Sequence, residues 1–107
     1  MKEWADVEGR VDVEIRGVVK QFWELGYYTQ EGCSGHYGKK PPYLIFLPRI
    51  FPPDSLYGVM YVLQDALRYG LTVKYQGDSL VLTCSPHGYK VFQQALRRLL
   101  VWLRDGV

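Results

Sequence analysis

Apolar side chains in this sequence change their spacing as the chain proceeds, and that change constrains the fold more than any other feature. Val11, Ile15, Val18, Phe22 and Leu25 recur at intervals of four, three, four and three. This spacing predicts one stripe of an amphipathic helix over residues 8–25, with Gly26 as its stop. Val11, Val13 and Ile15 also alternate like a strand, so the start of that helix is ambiguous. Tyr27 to Glu31 reads as a short strand that runs into the turn-rich segment 32–36. Gly38, Lys39, Lys40, Pro41 and Pro42 make a loop. Tyr43 to Leu47 is a continuous apolar run, as expected of a strand buried on both faces. Pro48, Pro52 and Pro53 end it.

The same succession then repeats. A second helix is expected over 54–69, with a buried stripe from Leu56 to Leu67. Strands follow at Leu71–Tyr75 and Leu80–Thr83, joined by the hairpin sequence Gln76-Gly77-Asp78-Ser79. A last helix covers about 86–104, with Ser85 as N-cap and Pro86 at its first position. Its apolar half carries Val91, Phe92, Ala95, Leu96, Leu99, Trp102 and Leu103. The expected fold is therefore α+β, in the order α-β-β-α-β-β-α. Three helices cover one face of a mainly antiparallel sheet of about four strands. At 107 residues the chain makes a single domain, residues 1–107.

Composition excludes several function classes. Net charge is +2, from 13 basic and 11 acidic residues, so charge alone does not mark a nucleic-acid binder or an acidic tail. An apolar fraction of 48% with 15% aromatics excludes disorder. No run approaches the roughly 18 apolar residues of a membrane helix, and the N-terminus lacks a secretory apolar core. The expectation is a soluble, cytoplasmic protein with no membrane partner. Asparagine is absent, which leans toward a thermophilic source, where intracellular disulfides are allowed.

The two cysteines and two histidines occupy two similar segments. Cys33-Ser34-Gly35-His36 follows the first strand and Cys84-Ser85-Pro86-His87 follows the fourth. Three explanations stand side by side. Cys33 and Cys84 can form a disulfide, which would stabilise by roughly 4 kcal/mol through loop closure. Cys33, His36, Cys84 and His87 can instead hold a tetrahedral metal, although the spacing is not that of a standard finger, and no metal is assigned. Finally, Cys84 can be an ordinary buried thiol with His87 facing solvent. The Cys33–His36 loop is then free to form an anion nest, with Ser34, His36, Lys39 and Lys40 adding hydrogen bonds and charge.

The segment Thr29 to His36, with Cys33-Ser34-Gly35 at its centre, resembles the Ser-x-Cys-Ser-Gly-Arg signature of the wybutosine-synthesising tRNA methyltransferase family. The order of elements around it is also similar, over about residues 20–100. The resemblance implies methylation of a tricyclic guanosine derivative beside the anticodon, with S-adenosylmethionine as cofactor and tRNA as partner. It implies the Cys33–His36 loop as the site, with Ser34 and His36 as catalytic residues and Thr29, Cys33 and Gly35 as substrate-binding; Lys39 and Lys40 join the substrate-binding set through the charge they bring to the loop. His36 stands where the family has Arg, Glu31 where it has Ser, and Thr83 nearest to where it has a strand His. The chain thus reads as a diverged, short relative. The other class left open is a non-enzymatic, homodimeric domain stabilised by the Cys33–Cys84 disulfide.

Other surfaces are less specific. Tyr57, Tyr61, Gln64 and Arg68 share the outer face of the second helix, as single-stranded RNA or a protein partner would require. Lys90, Arg97, Arg98 and Arg104 could meet phosphates. No paired carboxylates, Ser-His-Asp triad or phosphate-binding loop stands out.

Overall fold

The computed structural model describes residues 3–47 and 71–105. The expected helix at 54–69 and the stripe Tyr57–Arg68 lie outside the described residues. The fold is α+β, with a four-stranded antiparallel sheet. Helix α1 spans Trp4–Val7 and is closed at its start by a capping box, in which the Glu3 amide donates to the Asp6 carboxylate at 2.8 Å. A single 3-10 turn, Glu8–Arg10, leads to helix α2, Val13–Glu24. Strands β1 (Thr29–Cys33) and β2 (Tyr43–Phe46) come next, then β3 (Thr72–Gln76) and β4 (Ser79–Thr83). After a 3-10 turn at Pro86–Gly88, helix α3 runs from Tyr89 to Asp105.

The first expected helix is broken in two because Val11 is extended. It forms a parallel bridge to Gly32 on β1, and the Asp12 amide donates to the Gly32 carbonyl at 3.2 Å. The Arg16 guanidinium donates to the Val11 carbonyl at 2.9 and 3.2 Å, so that this carbonyl is not orphaned. The helix proper then turns Ile15, Val19, Phe22 and Trp23 into the core. This face is rotated from the expected stripe: Val18 is half-buried and Leu25 is exposed.

The strand order is β1-β2-β4-β3. Leu44 pairs with Leu82 and Phe46 with Leu80, so two large apolar pairs share the face that meets the helices. Phe22 of α2 meets Phe46 edge-to-face at 5.5 Å. From α3, Phe92, Ala95, Leu96, Leu99 and Leu100 complete the core, while Trp102 and Leu103 pack at its margin. Strand β2 is not buried on both faces as its apolar run suggests. Tyr43 and Ile45 are only half-buried, because the sheet is antiparallel and one face needs no full cover. The hairpin between β3 and β4 turns at Gly77, whose φ of 62° lies in the left-handed region.

The expected Cys33–Cys84 disulfide is not formed, and both cysteines are free. Strand order supplies the reason. Cys33 of β1 and Thr83 of β4 both lie opposite Tyr43 of β2, which separates them. At about 4.8 Å per strand, the Cα atoms of Cys33 and Thr83 are about 10 Å apart, and Cys84 follows Thr83 directly. A bridge needs about 7 Å or less. Each thiol is instead engaged locally: Cys33 Sγ accepts the Gly35 amide at 3.4 Å, and Cys84 Sγ lies 3.3 Å from the Ser85 and Gly88 carbonyls. Among the described residues no helix is long and apolar enough to cross a membrane.

Candidate functional site

The β1–β2 connection is built on an unusual backbone. Gly35, His36, Tyr37 and Gly38 have φ of 90°, 46°, 59° and 91°, four left-handed residues in succession. Glycine adopts this region freely, but His36 and Tyr37 each carry about 1–2 kcal/mol of strain there. The turn is pinned by the Gly38 and Lys40 amides, which both donate to the Gly35 carbonyl at 3.0 and 3.1 Å. Gly35 also has to be glycine for space. A Cβ there would lie 2.9 Å from Tyr89 Cβ and 3.1 Å from the Lys40 carbonyl.

This turn folds back onto the chain segment before α2. Asp12 occupies the N-cap position of that helix, yet its side chain makes no capping bond. Its Oδ2 instead accepts the Ser34 amide at 2.8 Å and the Ser34 hydroxyl at 3.2 Å, and lies 3.5 Å from His36 Nε2. The Ser34 hydroxyl also lies 3.4 Å from Glu14 Oε2 and accepts the His36 amide at 3.3 Å. Burial opposes the Asp12 charge. The Ser34 amide, the Cys33 thiol, the Ser34 hydroxyl and His36 outweigh it and hold the carboxyl below its usual range. Burial, reinforced by the Asp12 charge, pushes the Cys33 thiol up, against the Gly35 amide and the positive charge of Lys40. Burial and the neighbouring Glu31 carboxylate likewise raise the Tyr43 phenol, which donates to Glu31 at 3.3 Å.

The sequence candidates separate into two groups. Cys33, Ser34, Gly35 and His36 are gathered around Asp12. Lys39 and Lys40 are exposed at the end of the same loop. Thr29 lies at the far end of β1, opposite Phe46, fully buried, and accepts the Trp23 indole N–H at 3.0 Å. Its role is internal. The four-residue metal set Cys33, His36, Cys84 and His87 is not assembled. Among the described residues, the ligand atoms that converge are those of Asp12, Cys33 and His36. The two Cys-Ser-x-His segments do become neighbours, through the packing of turn 36–38 on turn 86–88 and an edge contact of Tyr37 with Tyr89 at 6.3 Å.

Asp12 and Glu14 are the site residues that sequence spacing missed. Both precede or begin a helix, where an acidic residue is routine, so nothing local marked them. Their presence creates an Asp-Ser-His cluster, but not a nucleophilic triad. Ser34 is 1% exposed and donates to carboxylates rather than to His36. Cys33 with a raised pKa is a thiol, not a thiolate, at neutral pH. The arrangement suits binding through polar groups more than covalent attack.

A second concavity of about 460 Å³ lies between α2 and α3, lined by Ile15, Val18 and Leu100 with Glu14, Arg97 and Arg104 at its rim. No family model, curated protein or solved structure matches the chain.

Proposed function

We propose that this domain binds RNA through the 33–40 loop, as a diverged relative of the wybutosine-type tRNA methyltransferases in which the signature loop serves recognition. The observation that carries this reading is Tyr37. It is 72% exposed, held at φ 59° on a turn that a glycine would adopt without strain. Exposed aromatic faces are where single-stranded bases stack. Lys39 and Lys40, exposed just beyond it, supply charge for phosphates. His36, whose side chain is 44% exposed, stands beside Tyr37 to hydrogen-bond a base edge. The resemblance of Cys33-Ser34-Gly35 to the family signature names tRNA as the RNA to test. This reading includes no methyl-transfer step.

The test is fluorescence anisotropy with a labelled anticodon stem-loop at several salt concentrations. Tyr37→Ala should weaken binding by about 1–3 kcal/mol, or roughly five- to 150-fold. Lys39→Gln with Lys40→Gln should flatten the dependence of log K on log salt by about 1.4, at roughly 0.7 per phosphate contact on a single strand. A wild-type chain that binds no tighter than the Tyr37→Ala variant removes the proposal. Methyl incorporation into hypomodified tRNA from S-adenosylmethionine, abolished by His36→Ala, would replace recognition by catalysis.

A further inference from the structure

Three side chains of different chemistry meet where the end of β1 passes the start of α2. The Asp12 carboxylate, the Cys33 sulfur and a His36 ring nitrogen place their ligand atoms within 4.8 Å of one another. We propose that Asp12, Cys33 and His36 form a binding site for a divalent transition-metal ion of the Zn2+ type, with one coordination position left open. This inference does not depend on RNA binding.

The donor set is the first support. Thiolate, imidazole and carboxylate are the side chains that Zn2+ takes. Three protein ligands with a fourth position open to water is the arrangement of reactive rather than purely structural zinc.

The distances are the second. Bonds of about 2.0–2.3 Å at tetrahedral angles put neighbouring ligand atoms about 3.3–3.6 Å apart. His36 Nε2 and Asp12 Oδ2 are already 3.5 Å apart. The remaining separations are at most 4.8 Å, so none has to close by more than about 1.5 Å to reach that tetrahedral spacing.

The third support is the frame around the ligands. The Ser34 amide fixes the Asp12 carboxylate at 2.8 Å, and the Gly35 amide points at Cys33 Sγ at 3.4 Å. Such outer hydrogen bonds orient ligands and tune the metal. The left-handed turn at 35–38 brings Cys33 and His36, three residues apart, onto the same carboxylate. On binding, the ion displaces the Cys33 thiol proton, which leaves to solvent. Asp12 binds as the carboxylate and His36 through unprotonated Nε2.

The experiment is titration of the reduced full-length chain with Co2+, then displacement by Zn2+. One equivalent of Co2+ should produce a thiolate-to-cobalt charge-transfer band, which Zn2+ removes. Asp12→Asn and His36→Gln should each weaken binding by roughly tenfold or more, and Cys33→Ser should abolish the band. Because Cys33→Ser could unfold a buried site, the wild-type chain supplies an independent reading. Zn2+ should slow alkylation of Cys33, mapped by mass spectrometry, and leave Cys84 unchanged. Absence of the band in folded wild-type protein overturns the proposal. So does a band that survives in folded Cys33→Ser, or equal protection of Cys84.

Discussion

Gly35→Ala tests whether the left-handed turn is a tightly packed device or a tolerant loop. Two terms add at this position. Alanine at φ 90° carries about 1–2 kcal/mol of backbone strain. Its methyl would also sit 2.9 Å from Tyr89 Cβ, 3.1 Å from the Lys40 carbonyl and 3.3 Å from Pro42 Cβ. None of these is the free end of a flexible side chain, so relief needs backbone movement. Overpacking of this kind costs about 1–3 kcal/mol. The sum is about 2–5 kcal/mol, a large part of the roughly 5–15 kcal/mol that holds a domain folded. At about 4–8 °C per kcal/mol, a central value near 3 kcal/mol lowers Tm by about 12–24 °C.

Two other glycines separate the terms. Gly77 has φ 62° but open space around its Cβ position, so Gly77→Ala should show the strain alone, about 1–2 kcal/mol. Gly17 lies inside α2 with open space and no positive φ, so Gly17→Ala should stabilise by about 0.5–1 kcal/mol. Urea unfolding followed by circular dichroism gives all three values. If Gly35→Ala and Gly77→Ala agree within error, the packing argument at the turn is wrong.

Further outcomes follow from the same contacts. Asp12→Asn should destabilise at pH 7 by about 1.5–3 kcal/mol, the value of hydrogen bonds to a charged group. Because the folded carboxyl is held below its usual range, that stability is present above the unfolded pKa of about 3.9 and lost as pH falls through the folded value. Wild type and variant should therefore converge in acid, and a gap unchanged down to pH 2 would contradict the assignment. Burial raises both thiols, so their contribution is complete below about pH 8.5 and lost as pH rises through the folded values. Tm should fall on the alkaline side, and denatured, unreduced protein should react with two equivalents of alkylating agent; zero equivalents would mean the disulfide exists. Trp23→Phe should cost about 1–3 kcal/mol by leaving the fully buried Thr29 hydroxyl without its donor. Adding Thr29→Val should recover part of that loss, and no recovery would show that the hydrogen bond is not what matters.

The legible parts of the sequence were those set by local periodicity. The strand pairs, the Gly77 turn and the core face of α3 around Phe92, Leu96 and Leu99 all follow from spacing. The expected stripe of the first helix shares Ile15 and Phe22 with the observed face and departs from it at Val18, which is half-buried, and at Leu25, which is exposed, while Val11 is buried through its bridge to Gly32 ahead of the helix. The observed face adds Val19 and Trp23 instead. The Cys33–His36 segment stood out by composition, but its electrostatic centre did not. Asp12 reaches it only because the chain before α2 lies against β1, and no local spacing encodes that contact. The disulfide failed for a similar reason. Cys33 ends β1 and Cys84 follows β4 at the same end of the sheet, but the order of strands places β2 between them.

The left-handed turn sets stability against capability. Glycine or asparagine at 36 and 37 would relieve roughly 1–2 kcal/mol of strain at each position, less the extra chain entropy that glycine surrenders on folding. A laboratory search for heat tolerance would therefore favour replacing both His36 and Tyr37. The same replacements would delete the imidazole over Asp12 and the exposed ring beside it. Selection for survival after heating, run in parallel with selection for a retained ligand, should drive these two positions in opposite directions. The position-specific conflict between the two outcomes would mark where the fold carries a burden for the sake of something other than folding.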